Sequence, residues 1–505
     1  MRFTFQLAAI LLLLSAQAVL GQETRSTDRV VGAGYFQDQD KPFDLQVEFD
    51  QLDLRLRELE DDVENRLRAQ DQEEESSEKS STKLEERLAK LEKSVEAQEK
   101  ATEELDGILP SLVYHGHKQP KITFFGRIHL DYWAFPEADE TLFPLEGGNP
   151  QDRVVFRRIR IGAKGDLHDN MFYKYEGEFA GGVASSYRDV YLGFDNLPHL
   201  NTLIIGNQKR PYGLDHINSS NHNVFIERPF VVEAFNQDAR RLGIASYGVS
   251  KDEKYNWRYG VWHEELTQDL FGWIGDHYQL EGAARLATTP WYDESSGGRG
   301  YAHFAISGSV GYPDGLNEAR NAAQYRTRPE ARSTRRWLDT GTIAGADTNM
   351  LIGLESVINI GSFQFVAEYL RTNVDRLDAF GPDLEFDGGY FYVAYFLTGE
   401  HMPWNRETGA LGRPIPHENF FSVRDCDCQT QRGLGAWQIA ARYSWCDLTD
   451  ENIIGGEGDS LTIGLNWLWN PNARMQFNWI IGDIDRFPEG GGDYQILGAR
   501  FMVDF

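Results

Sequence analysis

Cysteine is nearly missing from this 505-residue chain, which has only Cys426, Cys428 and Cys446. Three cysteines exclude a disulfide-stapled framework, and the odd number leaves at least one thiol over. Cys426-Asp427-Cys428 also lacks the further Cys or His that a zinc site needs at metal spacing. Positive charge is scarce. Lys+Arg number 50 against 78 Asp+Glu, a formal charge of −28, and nucleic acid is a poor partner for such a balance. Catalytic signatures are missing too. There is no Gly-x-Ser-x-Gly elbow and no His-Glu-x-x-His, and His263-Glu264-Glu265 has no partner at a recognisable spacing. Nothing here points to an enzyme, a metal or a cofactor. Beyond the first residues no apolar run is long enough for a membrane helix. The mean hydropathy of −0.50 suits a soluble protein, but equally a set of strands that are each apolar on one face only.

The chain opens with Met1-Arg2-Phe3, an apolar run Leu7–Leu14 and small residues up to Gly21. That pattern predicts a signal peptide over residues 1–21, too short to serve as a membrane anchor. A polar linker follows over 22–44. Leu45, Phe49, Leu52, Leu56, Leu59 and Val63 then step alternately by four and three, and Leu84, Leu88, Leu91 and Val95 repeat the frame after an acidic, Ser-rich break near 71–82. These heptads predict a coiled coil over 45–105, self-associating or packed as one amphipathic helix on another domain.

From about residue 118 the period changes to two. Leu461, Ile463, Leu465, Trp467 and Trp469 share one face, with Thr462, Gly464, Asn466 and Leu468 on the other. Met475, Phe477, Trp479 and Ile481 oppose Arg474, Gln476, Asn478 and Ile480. Aromatic residues on the apolar face and Arg, Gln and Asn on the polar one suit lipid outside and water inside. The last segment alternates up to Phe505 in the manner of a closing barrel strand. Sixteen strands are expected, near 122–134, 153–165, 170–180, 186–195, 201–207, 240–249, 255–263, 278–288, 301–311, 349–359, 361–371, 388–397, 435–445, 459–469, 474–484 and 493–505. The even count lets both ends of the barrel sequence lie on one side. If the last strand descends to the periplasm, the short turns at Asp166–Asn170, Asn196–Asn201, Asn359–Gly361 and Asn470–Asn472 are periplasmic, and so is the coil. The fold class expected is therefore all-β: a 16-stranded antiparallel transmembrane barrel in the outer-membrane lipids, preceded by an α-helical coiled coil.

Three connections are too long for plain turns: Gln208–Asp238, Tyr312–Asn349 and Thr398–Leu434. A barrel of this size has room for a loop to fold in and narrow it. The second is locally basic. Arg320, Arg326, Arg328, Arg332, Arg335 and Arg336 face only Glu318 and Glu330 between Glu318 and Arg336. Lys209 and Arg210 open the first. On the wall, Arg158, Arg160 and Lys164 alternate against Ile159, Ile161 and Ala163, Arg127 opposes Gly126 and Ile128, and Arg442 opposes Ala441 and Tyr443. Cations along a pore concentrate anions, and guanidinium forks suit phosphate. The same arginines could instead pair with carboxylates or bind lipopolysaccharide at the rim.

Five stretches carry a resemblance: Phe156-Arg-Arg-Ile-Arg-Ile-Gly162, Gly206-Asn-Gln-Lys-Arg-Pro-Tyr-Gly213, Arg240-Arg-Leu-Gly243, Trp437-Gln-Ile-Ala-Ala-Arg-Tyr-Ser444 with Asp447-Leu448, and Asn466-Trp467 through Asn470-Pro471. Together, over about Ile122–Phe505, they resemble the phosphate-selective porin O and P family. The resemblance implies a sixteen-stranded trimeric anion porin with lumen-folded loops and basic wall residues that guide small anions such as phosphate. Two features depart from that family. Residues 109–505 hold 52 acids and 36 bases, a net −16, where the family's phosphate ladder is strongly basic, and the coil is no part of a minimal barrel. The rival expectations are a general non-selective porin and a structural anchor tethering the outer membrane to the cell wall through the coil.

Overall fold

The computed structural model describes residues 120–505 except 169, 181–184, 238, 268–273, 275–278, 314–322 and 425–429. The signal peptide, linker and coiled coil expected before residue 118 lie outside the described residues, as do Arg320, Cys426 and Cys428.

Sixteen antiparallel strands form a closed barrel in sequence order. They are β1 Thr123–Ala138, β2 Arg153–His168, β3 Met171–Glu178, β4 Ser186–Leu197, β5 Asn201–Lys209, β6 Arg240–Val249, β7 Tyr255–His263, β8 Leu280–Tyr292, β9 Gly300–Gly311, β10 Ala346–Ile360, β11 Phe363–Arg376, β12 Leu384–Phe396, β13 Ala436–Asp450, β14 Ile453–Asn470, β15 Ala473–Arg486 and β16 Gly490–Asp504. The barrel shuts between β1 and β16, from Arg127 opposite Asp504 to Ala138 opposite Tyr494. The backbone of Phe505 extends the seam through bonds in both directions with Gly126. A Cβ on Gly126 would stand 2.5 Å from the Phe505 ring and 2.9 Å from the Arg160 carbonyl. Glycine is needed there for the terminal aromatic to lie down on the wall.

Alternation decides what each face meets. Outward positions carry Ile161, Leu192, Ile244, Leu286, Ile306, Ile352, Phe391, Ile439, Leu461 and Leu497, all exposed. So continuous an apolar belt is a lipid-facing surface. At the end where β1 begins and β16 stops, here the near end, Trp437 stacks on Trp467 at 4.9 Å, Trp467 meets Trp469 at 5.4 Å, and Trp469 meets Phe501 at 5.4 Å. Amphipathic rings in such a band belong at a membrane–water boundary.

Toward the far end the outward face turns acidic. Asp387, Asp447, Glu457 and Asp485 are successive cross-strand partners, and Asp459, Asp483 and Asp493 form a second row. Much of the acid excess therefore sits outside the lumen. Cys446 lies buried on β13 as a free thiol.

All three long connections send residues inward, although Phe420 of the third packs on Trp467 and Trp469 of the outer aromatic band. Residues 210–239 start at the far end after the short β5. They bring Leu214, Val224, Phe225, Ile226, Phe230, Val231 and Val232 into a buried cluster with Leu370, Val374, Phe386, Tyr390, Tyr392, Ile480, Ile484 and Ile496 of the wall. Residues 312–345 add Ala331, Trp337, Leu338 and Ile343, and Trp337 meets Tyr494 edge-on at 5.2 Å. From the near end, residues 397–435 insert Trp404 between Tyr301 and His303, with ring centroids at 5.6 and 4.4 Å. The inner face of β10–β16 is thereby packed like an ordinary protein core. The open lumen is displaced toward β1–β6, where β3 to β7 are only 8 to 12 residues long.

Candidate functional site: an arginine-lined lumen

A cavity of about 800 Å³ runs between the inner wall of β1–β6 and the infolded connections. Arg127 of β1, Arg157, Arg158 and Arg160 of β2, Lys174 of β3, Arg188 of β4, Lys209 of β5 and Arg240 of β6 line it from the wall. Arg228 of the first connection and Arg328, Arg332 and Arg336 of the second close the other side. Glu176, Asp189, Glu227 and Glu233 are the acids in the lining. Twelve cations and four carboxylates line it; Glu178, 2.6 Å from Arg160, and Asp215, 3.3 Å from Arg228, stand behind them and leave a formal +6, twelve less six, inside a chain whose total is −28.

Two β-bulges supply part of this excess. The β1–β2 register shifts between His129 and Leu130, so that Arg157 has no opposite number. Strict alternation would send it toward lipid; the bulge turns it in beside Arg158. A second shift between Tyr175 and Gly177 does the same near Arg188 and Asp189 on β4.

The carboxylates are shared among cations. Glu176 holds Arg127 and Arg160, each at 3.3 Å. Asp189 joins Lys174 and Arg240. Glu227 takes Arg157 bidentately at 2.7 and 3.1 Å and Arg500 at 2.9 Å. Glu233 takes Arg328 at 3.0 Å. Three cations have no carboxylate partner among the described residues. Arg158 donates to His129 Nδ1 at 3.4 Å, Lys209 donates to the carbonyls of Ile217 and Asn218 at 3.0 Å each, and Arg332 lines the cavity near Arg157 and Arg328.

The structure thus divides the expected basic residues. Arg127, Arg158, Arg160, Lys209, Arg328, Arg332 and Arg336 come together in the cavity. Arg210 and Arg326 line a second, smaller cavity, where Arg210 pairs with Glu281 at 2.8 Å. Arg335 lies at the far rim. Lys164 is exposed at the near end, 6.0 Å from the Phe125 ring. Arg442 does point inward, but it is buried against Glu330 at 2.6 Å and fastens a loop instead of facing the cavity. Arg157, Lys174, Arg188, Arg228 and Arg240 were not anticipated. Lys174 was readable, since Lys174, Glu176 and Glu178 alternate with apolar or aromatic neighbours; Arg157 and Arg188 depend on bulges that a strand pattern does not announce.

The second connection is held at the far end by Glu146, whose carboxylate accepts from the Thr334 N–H at 2.7 Å, Trp337 Nε1 at 2.9 Å and Arg153 at 3.1 Å. Burial works to raise its pKa, but these donors prevail and hold it below the ordinary 4.5. A depressed carboxylate stabilises its contacts above its unfolded pKa and gives that stability up as pH falls through the folded one. The Trp337 contribution to emission, wild type minus Trp337→Phe, should stay constant from neutral pH to about 5 and red-shift only below about 4.5. A shift between pH 7 and 5 would contradict this.

Comparison with known sequences settles what kind of barrel this is. The family described as phosphate-selective porin O and P matches residues 122–505. The chain belongs to that family. It is an outer-membrane porin, and family and barrel point to a channel. An uncharacterized protein of Caulobacter vibrioides is 26% identical to the porin over 365 residues, 69% of this chain and 68% of its own. Porin O of Pseudomonas aeruginosa is 27% identical over 150 residues, 28% of this chain and 31% of that porin. Among solved structures, the outer-membrane protein OmpT of Vibrio cholerae covers 77% of this chain and 100% of its own at 12% identity and a TM-score of 0.47. The outer-membrane channel DcaP of Acinetobacter baumannii covers 77% and 98% at 11% identity and a TM-score of 0.45.

Proposed function

We propose that this porin passes small anions, phosphate among them, by passive diffusion through the off-centre cavity. The observation that carries the reading is the twelve-to-four excess of cations in that cavity within a strongly acidic chain. A confined cationic field raises local anion concentration, and clustered guanidinium forks match the oxygens of phosphate better than a single chloride. The family description names phosphate, in keeping with this. The acidity of the barrel region is no obstacle, because rows of carboxylates such as Asp387–Asp447–Glu457–Asp485 point away from the lumen.

On this reading the near end faces the periplasm, the unit is a homotrimer, residues 1–21 direct export, and the heptads of 45–105 lie in the periplasm for trimer assembly or cell-wall contact. The test is a planar-bilayer measurement on the purified full-length porin. In a tenfold KCl gradient the reversal potential should take the chloride sign and approach the limit of about 59 mV. Added phosphate should reduce the chloride current in a saturable way. A reversal potential of potassium sign would overturn the proposal.

A further inference from the structure

A cavity with a large surplus of positive charge admits anions readily but releases them slowly, and conduction needs release as much as entry. One of its acids is placed to solve this. Glu176 and Asp189 are wall residues bridging wall cations. Glu227 instead comes from the infolded first connection and occupies the Nε–Nη2 fork of the bulge residue Arg157. The adjacent Arg158 has no carboxylate among the described residues. A fork held by two oxygens is the contact that a free oxyanion would make.

The loop does not need this carboxylate to stay in place. Arg500 donates to the Ile226 carbonyl at 2.5 Å, and Arg442 donates to the Glu227 carbonyl at 3.1 Å. Both bonds engage the peptide and leave the side chain free to exchange partners. Arg500 also contacts the carboxylate at 2.9 Å and is itself bound by both oxygens of Asp131, so Glu227 retains a second cation when it leaves Arg157.

We infer that Glu227 is a resident anion of the pore, a tethered competitor for the Arg157 fork that weakens oxyanion binding and speeds release. A small oxyanion with two acceptor oxygens enters at Arg158 and shares or displaces Glu227 at Arg157. The returning carboxylate then expels it. Chloride cannot bridge the fork and is affected less than the oxyanion.

This inference rests on the anion-porin reading, and one experiment separates the two. Chloride conductance and its block by inorganic phosphate are measured in bilayers for the wild type, E227Q and E227D. E227Q should tighten the phosphate block about tenfold, a larger factor than any accompanying rise in chloride conductance. E227D withdraws the carboxylate by one methylene and should tighten it by about threefold. It decides the matter if E227Q does not assemble. Anion-selective variants with unchanged or weaker phosphate block would overturn the inference alone, as would a changed chloride conductance with no tightening, the mark of a merely loosened loop. Cation selectivity in the wild type would overturn the underlying reading.

Discussion

Replacing Arg158, Lys209 and Arg332 together with glutamine is expected to remove most of the anion preference. None of these three pairs with a carboxylate among the described residues. A paired cation presents a dipole to the solute, whereas an unpaired one presents its full charge. At about 4 Å in water a unit charge is worth about 1 kcal/mol to a monovalent anion, so three sum to about 3 kcal/mol, on the order of a hundredfold in occupancy. The reversal potential in a tenfold KCl gradient should fall below half of its wild-type value, and phosphate block should weaken by about the same hundredfold. Lys164→Gln serves as the control, being exposed at the near end outside the cavity. Equal effects in the control and the triple variant would show that the cavity does not set selectivity.

The second large effect is expected at Glu330. Its carboxylate is fully buried and binds Arg442 at 2.6 Å, Ser460 at 3.0 Å and Thr462 at 3.2 Å, with Ser444 also donating to it. It also accepts the Phe230 N–H at 3.2 Å, capping the first turn of the short helix Phe230–Phe235. One side chain thus joins the second connection, the first connection and strands β13 and β14. Glu330→Ala would strand the Arg442 guanidinium, which is 1% exposed, without a counter-charge. Breaking a buried pair on one side costs about 3–5 kcal/mol. The barrel ladder does not depend on this contact, so the loss should fall on the loops: a wider, noisier single-channel conductance, with the barrel still closed and resistant to detergent denaturation at room temperature. Glu330→Gln keeps some acceptor capacity and should lie between. A variant with wild-type conductance and noise would show that Glu330 does not fasten the pore.

The barrel was legible in the sequence because its signal is local. Alternation needs only a few neighbouring residues, and every strand expected from it overlaps the observed one, with ends displaced by up to six residues, as at Ile453. The same parity placed Arg127, Arg158, Arg160 and Arg442 inward. What it could not show is which of them would be open to solute. Arg442 and Arg158 follow the same rule, yet Glu330 of a distant loop reaches Arg442, and among the described residues no carboxylate reaches Arg158. The second connection illustrates the same limit: Arg328, Arg332 and Arg336 reach the cavity, while Arg326 and Arg335 point elsewhere along an irregular path. Arg228 depends on where a loop without periodicity folds. Net charge misled for a related reason. A total of −16 over residues 109–505 carries no information about which face of the wall each acid occupies.

The first connection is tied to the closing strand: Asn221 donates to Asp504 at 3.0 Å, and Arg500 holds the Ile226 carbonyl and the Glu227 carboxylate. Those partners take up position only when β16 meets β1. An unzipped barrel would therefore lack one wall of its own constriction, and its selectivity would be acquired in the same step as its closure. During assembly the envelope would meet either an unfinished sheet or a finished filter, and never an unguarded hole of full barrel width.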